Sequence, residues 1–426
     1  MPMKTFYVAT SIPYVNDVPH IGHAMEFIIG DVISRYHRQR GEVFFSTGTD
    51  EHGGKVSEKA KEKGMEPQAY ADQISKAFAD LGKLLNIEYS KFIRTTSEEH
   101  ESRVAKIWKL LEKDIYKGTY SGMYDQKEET FLTHEEAKRL EQEDPDRHAR
   151  LEEVEEENYF FKLSQYTEKI KQAISSGELK IVPETRQNEI LALLESGLED
   201  ISVSRPKEKI GWGIPVPGDD NQTIYVWAEA LMNYITGIGF PDQQYANFWP
   251  CDVHVIGKDI LRFHAAVWPA FLLSLGLELP KSIYVHGFIT IDGKVMSKSV
   301  GNVVAPKDIV ASYGADATRY YLTRHIPSYS DGDFSWAKFE RAYNHELGNE
   351  LGNLVQRVSS MISKYQNGVI GDLPDTSHDE GPYEDAMAEF RLDKALDHIW
   401  NFIKGQNQYI EEAKPWEIAD QGDEEH

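Results

Sequence analysis

Cysteine is nearly missing: Cys251 is the only one in 426 residues. That excludes an internal disulfide and any zinc site built on several thiolates, and it reads as a chain from a reducing compartment. Long apolar runs are missing as well. The longest, residues 265–275, is interrupted by Pro269 and is about half the length of a membrane span. The N-terminus has Lys4 but no apolar h-region, which predicts a cytoplasmic chain with no membrane partner. Positive charge is scarce, with 46 Lys and Arg against 70 Asp and Glu and a net charge of −24. Spread evenly, that acidity would exclude a polyanionic partner. It is local: residues 128–157, 371–390 and 411–426 carry −9, −7 and −6 of it, as solvated faces do. The rest of the surface is close to neutral and can take a nucleic acid. What is present, 40% hydrophobic and 27% charged residues, excludes disorder as the main state. The length suggests two or three domains.

Residues 5–10 (TFYVAT) read as a strand. Ile21, Ala24, Met25, Ile28, Ile29, Val32, Ile33 and Tyr36 then recur at helical spacing up to Arg40, Gly41 fits the cap, and residues 42–47 (EVFFST) read as the next strand. Strand, helix, strand predicts a right-handed βαβ unit with parallel strands. Ligands in such sheets sit beyond the carboxyl ends of the strands. Two segments lie there: Pro19-His20-Ile21-Gly22-His23 and Thr47-Gly48-Thr49-Asp50-Glu51-His52-Gly53. The pattern breaks near Gly118, and residues 119–222, acidic and made of short strands and turns, read as an insertion. It returns with strands at 224–227, 252–256 and 283–286 and a helix from Asp259 kinked by Pro269. From Trp336 the chain is expected to be all-helical. Leu347, Leu351, Leu354, Val358 and Met361 mark one buried stripe there, and Ala395, Ile399, Phe402 and Ile403 another.

His20 and His23 stand at the first turn of the predicted helix, where unpaired N–H groups and the helix dipole suit a phosphate. Two imidazoles on one face can donate to the same phosphate oxygens, and Gly22 between them would let a flat base approach the backbone. Taken alone, the four residues are equally a helix-capping pair. The second element is Gly293-Lys294-Val295-Met296-Ser297-Lys298-Ser299-Val300-Gly301-Asn302, a Gly-flanked basic loop after a strand. Such a loop can close over a triphosphate and neutralise its charge; alone it is an ordinary basic loop. Together and in this order, the His-x-Gly-His and Met-Ser-Lys-Ser elements resemble the signature of class I aminoacyl-tRNA synthetases.

The remaining motifs narrow the resemblance. Residues 11–16 (SIPYVN), 47–53, Tyr225-Val226-Trp227, Trp249-Pro250, residues 256–260 (IGKDI), Phe263-His264, Trp268-Pro269, residues 285–288 (VHGF) and residues 347–357 are similar to the methionyl-tRNA synthetase family over nearly the whole chain. The resemblance implies an α/β fold. A Rossmann-type catalytic domain would lie in two halves, 1–118 and 223–288, split by a connective-peptide insertion at 119–222. A region at 289–340 would carry the Met-Ser-Lys-Ser loop and touch the tRNA stem, followed by an anticodon-binding helical bundle at 341–426. It implies methionine activation with ATP and Mg²⁺, then transfer to tRNA by a monomer. The backbone of Ile12 and the carboxylate of Asp50 would hold the methionine ammonium. Tyr14, Trp227, Ala230, Leu231, Tyr234 and His264 would wrap the thioether, although core packing alone would account for Trp227, Ala230 and Tyr234. ATP would meet His20, Gly22, His23, Met296, Ser297, Lys298 and Ser299, with Lys258 and Asp259 further along. His20, His23 and Lys298 would be catalytic. Asn353, Arg357, Pro415 and Trp416 would meet the anticodon, with Asn349 on the same helix face.

The chain departs from the family in places. Val295 stands where the signature loop has its first lysine, and Lys294 is the neighbour that could reach in. Ala228 and Glu229 replace the more usual Phe and Asp. Relatives with cysteine clusters in the insertion bind zinc; here His100, His134 and His148 lack partner spacing, and no zinc is predicted. The family's helical domain continues well past the matching tryptophan, which implies an incomplete bundle that activates methionine but transfers it poorly. Three other readings compete. A P-loop at Gly48 and Gly53-Gly54-Lys55 is off by one residue, and Val56 cannot ligate Mg²⁺. A non-catalytic RNA-binding paralogue would explain Val295 but not the intact His20, His23, Asp50 and Lys298. Another class I synthetase would not explain the pocket residues.

Overall fold

Residues Phe6–Thr10 form a strand whose last four side chains are all buried, so both faces are covered and the run reads as continuously apolar. In the computed structural model, which describes residues 5–125, 130–132, 134–296, 301–371 and 380–420, this strand lies inside a six-stranded sheet. The strand order is Lys91–Arg94, Val43–Thr49, Phe6–Thr10, Val253–Gly257, Ser282–His286, Lys180–Val182. Phe6–Thr10 pairs in parallel with Val43–Thr49 on one side and with Val253–Gly257 on the other. Sequence order reverses across that strand, which makes it the switch point of a doubly wound, Rossmann-type sheet. The helix Ile21–Arg38 is the first crossover, with Arg35, His37 and Arg38 in its last turn where the dipole favours cations. It passes so close to the sheet that a Cβ on Gly30 would come within 2.7 Å of Thr10 and 2.8 Å of Phe45.

The chain divides into two compact units, Met1–Pro19, Gly30–Lys83 and Ile87–Val285 as the first and His20–Ile29, Leu84–Asn86 and His286–His426 as the second. The first holds the parallel sheet and a four-stranded antiparallel sheet built on Ile115–Asp125 and Leu151–Phe161. The latter is the acidic segment expected as an insertion. Its Glu156 is nonetheless buried, paired with Arg205 at 2.7 Å, while the Arg205 guanidinium lies 3.8 Å over the Tyr124 ring. The 119–222 stretch also gives a strand back to the parent sheet. After the helix Thr167–Ser176, Lys180–Val182 pairs with Ser282–His286, and the helix Glu184–Glu195 follows. The strand expected at 224–227 is instead Asp219–Ile224, and Val226 already begins the helix Val226–Leu231. Ala228 and Glu229 donate their N–H groups to the Tyr225 carbonyl, so tertiary context turns a β-rich tripeptide into a helix start.

The second unit has a small sheet in which Ile289–Ile291 pairs with Lys294–Val295 and with Gly332–Phe334. Helices follow from Trp336, including the π-helical Ala342–Gly352, then Asn353–Tyr365, Gly381–Ala388, Leu392–Ala413 and Pro415–Asp420. The two expected stripes are corrected here. Leu347, Leu351, Leu354, Val358 and Met361 are only half-buried. On Leu392–Ala413 the buried side is Leu392, Ala395, Trp400, Ile403 and Ile410, with Ile399 and Phe402 exposed. The large Trp400 ring takes the inward place that Ile399 was expected to hold. Among the described residues no helix is long and apolar enough to cross a membrane.

Candidate active site

The residues expected to hold the amino acid all belong to the first unit. Past the carboxyl end of the first strand, Ser11 donates its N–H to the Val255 carbonyl at 2.9 Å, keeping Ile12 beside the switch point. Tyr14 and Asp50 then form a parallel bridge. Asp50 donates its N–H to the Pro13 carbonyl and accepts from the Val15 N–H on its own carbonyl, both at 2.9 Å. The backbone on either side is thus fixed, and the Asp50 side chain is buried. The next residue is also committed: Glu51 takes the Arg94 fork at 2.8 and 2.9 Å, and its carbonyl accepts from the Trp212 indole at 2.8 Å. Asp50 therefore stands in a rigid turn, a negative charge suited to an ammonium.

Most of the residues expected to wrap the thioether come from two short stretches. Trp227 stacks on Phe263 with centroids 4.3 Å apart and planes 5° from parallel. Ala230, Leu231 and Tyr234 are buried on the same run, and the Lys55 ammonium lies 5.4 Å from the Tyr14 ring. Phe263–Val267 is π-helical and precedes the helix Trp268–Leu275. Pro269 brings no N–H to the helical ladder, and a single wide turn of this kind often marks a functional site. His264 sits in that turn. It is buried, its Nδ1 lies 2.9 Å from the Ile260 carbonyl, and its Nε2 lies 2.7 Å from the Tyr234 hydroxyl. The carbonyl can only accept, so Nδ1 carries the proton and Nε2 takes the tyrosine hydrogen. Burial pushes the imidazole pKa down to about 4, against the smaller opposing pull of the Ile260 carbonyl.

That neutral ring has a consequence for stability. The folded pKa is depressed below the ordinary 6.5, so between pH 6.5 and about 4 the unfolded chain takes up a proton that folded His264 refuses. Stability that is complete above pH 6.5 is lost across that window. The His264→Gln protein should therefore lose less Tm between pH 7 and pH 5 than the unchanged protein, and equal losses would contradict a neutral His264.

The phosphate-type elements lie in the second unit. The His20 N–H donates to His23 Nδ1 at 3.2 Å, and the Gly22 N–H donates to His20 Nδ1 at 3.1 Å. Each contact places the proton of a neutral ring on Nε2, the atom from which a phosphate oxygen could accept. The rings stack at 3.8 Å and 22°. Burial, and then the neighbouring His20, hold the His23 pKa well below the ordinary histidine value. The observed constraint at Gly22 is the His20 ring, 3.0 Å from where a Cβ would stand, with the Met296 methyl 3.8 Å away on another side. Met296 opens the Met-Ser-Lys-Ser loop, and the Ile21 N–H reaches the Val304 carbonyl beyond that loop at 3.1 Å. Both flanks of the loop thus meet the start of the helix. Ser297, Lys298 and Ser299 themselves lie outside the described residues. Val295 is 77% exposed and pairs with Thr290. Lys294 precedes it on the same strand and points to the opposite face, so it does not occupy the place of the Val295 side chain.

Of the residues expected to read an anticodon, Asn353 is exposed, while Arg357, Pro415 and Trp416 are half-buried. Arg357 pairs with Glu411 at 2.8 Å. Sequence reasoning assigned no role to His52, His100 and Glu229, which form a buried cluster in the first unit, both histidines bonded to Glu229. The one signal was a carboxylate inside an otherwise apolar run, noticed only as a departure from aspartate.

Comparison with known proteins gives one consistent picture. The family described as tRNA synthetases class I (M) matches residues 6–359. A methionine–tRNA ligase of Thermotoga maritima is 42% identical over 441 residues, covering 99% of this chain and 69% of the relative. One from Clostridium perfringens is 44% identical over 437 residues, covering 98% and 67%. Among solved structures, Mycobacterium tuberculosis methionyl-tRNA synthetase in complex with methionyl-adenylate aligns with a TM-score of 0.90 at 38% identity, over 98% of this chain and 85% of that one. Its apo form aligns with a TM-score of 0.82 at 35% identity, over 98% and 83%.

Proposed function

The chain belongs to the methionine branch of the class I tRNA synthetases, a methionine–tRNA ligase, and on that premise we propose how its residues divide the reaction. Asp50 takes the methionine ammonium. The Trp227 and Phe263 stack, with Ala230 and Leu231, encloses the thioether, whose polarisable sulfur gains about 0.3–1.5 kcal/mol against a ring edge. The neutral Tyr234–His264 pair places a polar edge near the sulfur that leucine could not use. Two observations support this reading: the fixed turn that carries the buried Asp50, and the buried, neutral Tyr234–His264 pair.

The methionine carboxylate attacks the α-phosphate of ATP, and pyrophosphate leaves. No covalent nucleophile is needed; orientation and charge stabilisation do the work. His20 and His23 donate Nε2–H to phosphate oxygens, Lys298 adds positive charge, and Lys258 flanks the nucleotide. Where Mg²⁺ accompanies the nucleotide, the triphosphate and water would supply most of its ligands, and its charge would help neutralise the phosphates. The terminal adenosine of tRNA then attacks the carbonyl of the adenylate and AMP leaves. We place this reaction in the cytoplasm, a reducing compartment that suits the lone cysteine, and assign it to a monomer.

Anticodon reading falls to Asn353, Arg357, Pro415 and Trp416, since a ring stacks on unpaired bases and Asn and Arg read base edges. Trp416→Ala should weaken transfer to tRNA by about 1–3 kcal/mol, the scale of one lost stacked base, while pyrophosphate exchange stays unchanged. Parallel assays of exchange and tRNA charging test this, and charging indifferent to Trp416→Ala would show that the base is read elsewhere.

A further inference from the structure

Glu229 is fully buried on the helix Val226–Leu231, in the turn that also carries Trp227 and Ala230. Its two oxygens go to different histidines: Oε1 lies 2.9 Å from His52 Nδ1, and Oε2 lies 2.9 Å from His100 Nε2. The far side of each ring is also engaged. His100 Nδ1 lies 2.8 Å from the Thr236 hydroxyl, and His52 Nε2 lies 3.5 Å from Glu101. Trp212 flanks His52 with centroids 5.3 Å apart. A buried carboxylate is costly unless fully paired, and an apolar side chain would hold a helix in a core without that cost. What the carboxylate adds is a fixed link among three segments. These are the turn that carries Asp50 two residues before His52, the helix Glu98–Leu111, and the helix that carries the thioether wall.

We infer that Glu229 is a positioning residue that, through His52, sets the spacing between the Asp50 carboxylate and the Trp227 and Ala230 wall, and so governs amino-acid affinity. The inference rests on the methionine-pocket reading above. The charge state of the cluster supports it. Burial alone would strip the His52 proton, but Glu229, with Glu101 and Asp50 adding to it, raises the His52 pKa to about 10. Glu229 is in turn held ionised by His52 and His100 against the burial that would raise its own pKa. The link is therefore ionic across the neutral pH range.

The test is Glu229→Gln, which keeps the shape and removes the charge, measured by ATP–pyrophosphate exchange with methionine and ATP varied separately. The KM for methionine should rise about tenfold or more, as expected for losing charge-assisted hydrogen bonds that hold a site, while the KM for ATP stays within about twofold. Equal rises in both, or a lowered Tm with both KM values unchanged, would overturn the inference. Should Glu229→Gln fail to fold, His100→Gln, which frees only the outer arm, is judged by the same split. If neither protein folds, the cluster is structural and the inference falls. Exchange by the unchanged protein is the control. Its absence would defeat the functional reading, whereas normal exchange with indifferent variants defeats only this inference.

Discussion

Alanine at His20 or at His23 should lower methionine-dependent ATP–pyrophosphate exchange about 10²–10³-fold, the scale of losing one preorganised donor to a charge that develops in the transition state. The local geometry explains why so little else should change. The His20 N–H fixes His23 through Nδ1, and the Gly22 N–H fixes His20 the same way, so each ring is oriented by backbone and stacked on the other. Losing one ring removes an Nε2–H donor and loosens its partner. Both effects fall on the phosphate, so kcat should carry most of the loss and the KM for methionine little of it. Lys298→Ala belongs to the same class. Gly22→Ala supplies a graded case, because its Cβ would press on the His20 ring at 3.0 Å. Near-normal exchange in both histidine variants would remove the pair from the chemistry.

The second large effect is expected at Asp50. In the proposed methionine site, Asp50→Ala would leave the substrate ammonium without its counter-charge beside Trp227, Leu231 and Tyr234. Truncating one partner of a buried charge pair costs about 2–5 kcal/mol, so kcat/KM for methionine should fall by about 30- to 5,000-fold. The backbone bonds to Pro13 and Val15 and the Arg94 fork on Glu51 still hold this turn, and the Tm of the variant checks that the fold survives. Calorimetry on the folded variant measures the affinity directly. Unchanged methionine binding would make Asp50 structural and remove the anchor from the pocket.

How far the sequence could be read follows from the range of the interactions involved. The first strand, helix and second strand are legible because their apolar patterns are local, and the parallel pairing of Phe6–Thr10 with Val43–Thr49 follows from them. Tyr225-Val226-Trp227 misleads because its β-rich composition is overruled by the packing that starts a helix at Val226. The return of Lys180–Val182 to the parent sheet is invisible for another reason: its partner lies about a hundred residues away, at Ser282–His286. Ile399 and Phe402 fit a helical stripe, but the inward side is decided by Trp400. For the proposed site, motifs single out Asp50, Trp227, Tyr234 and His264, whereas the bond between Tyr234 and His264 needed coordinates. The same holds for Glu229, whose partners His52 and His100 lie 177 and 129 residues earlier. No spacing rule links them.

The central claim is that this chain activates methionine, and the direct measurement is ATP–pyrophosphate exchange by the purified protein with each amino acid offered singly. The proposed methionine pocket predicts exchange with methionine far above background. Leucine, isoleucine and valine should give little, because none offers a sulfur to the rings and to the Tyr234–His264 pair. Exchange led by a different amino acid, or none with any of them, would contradict the account.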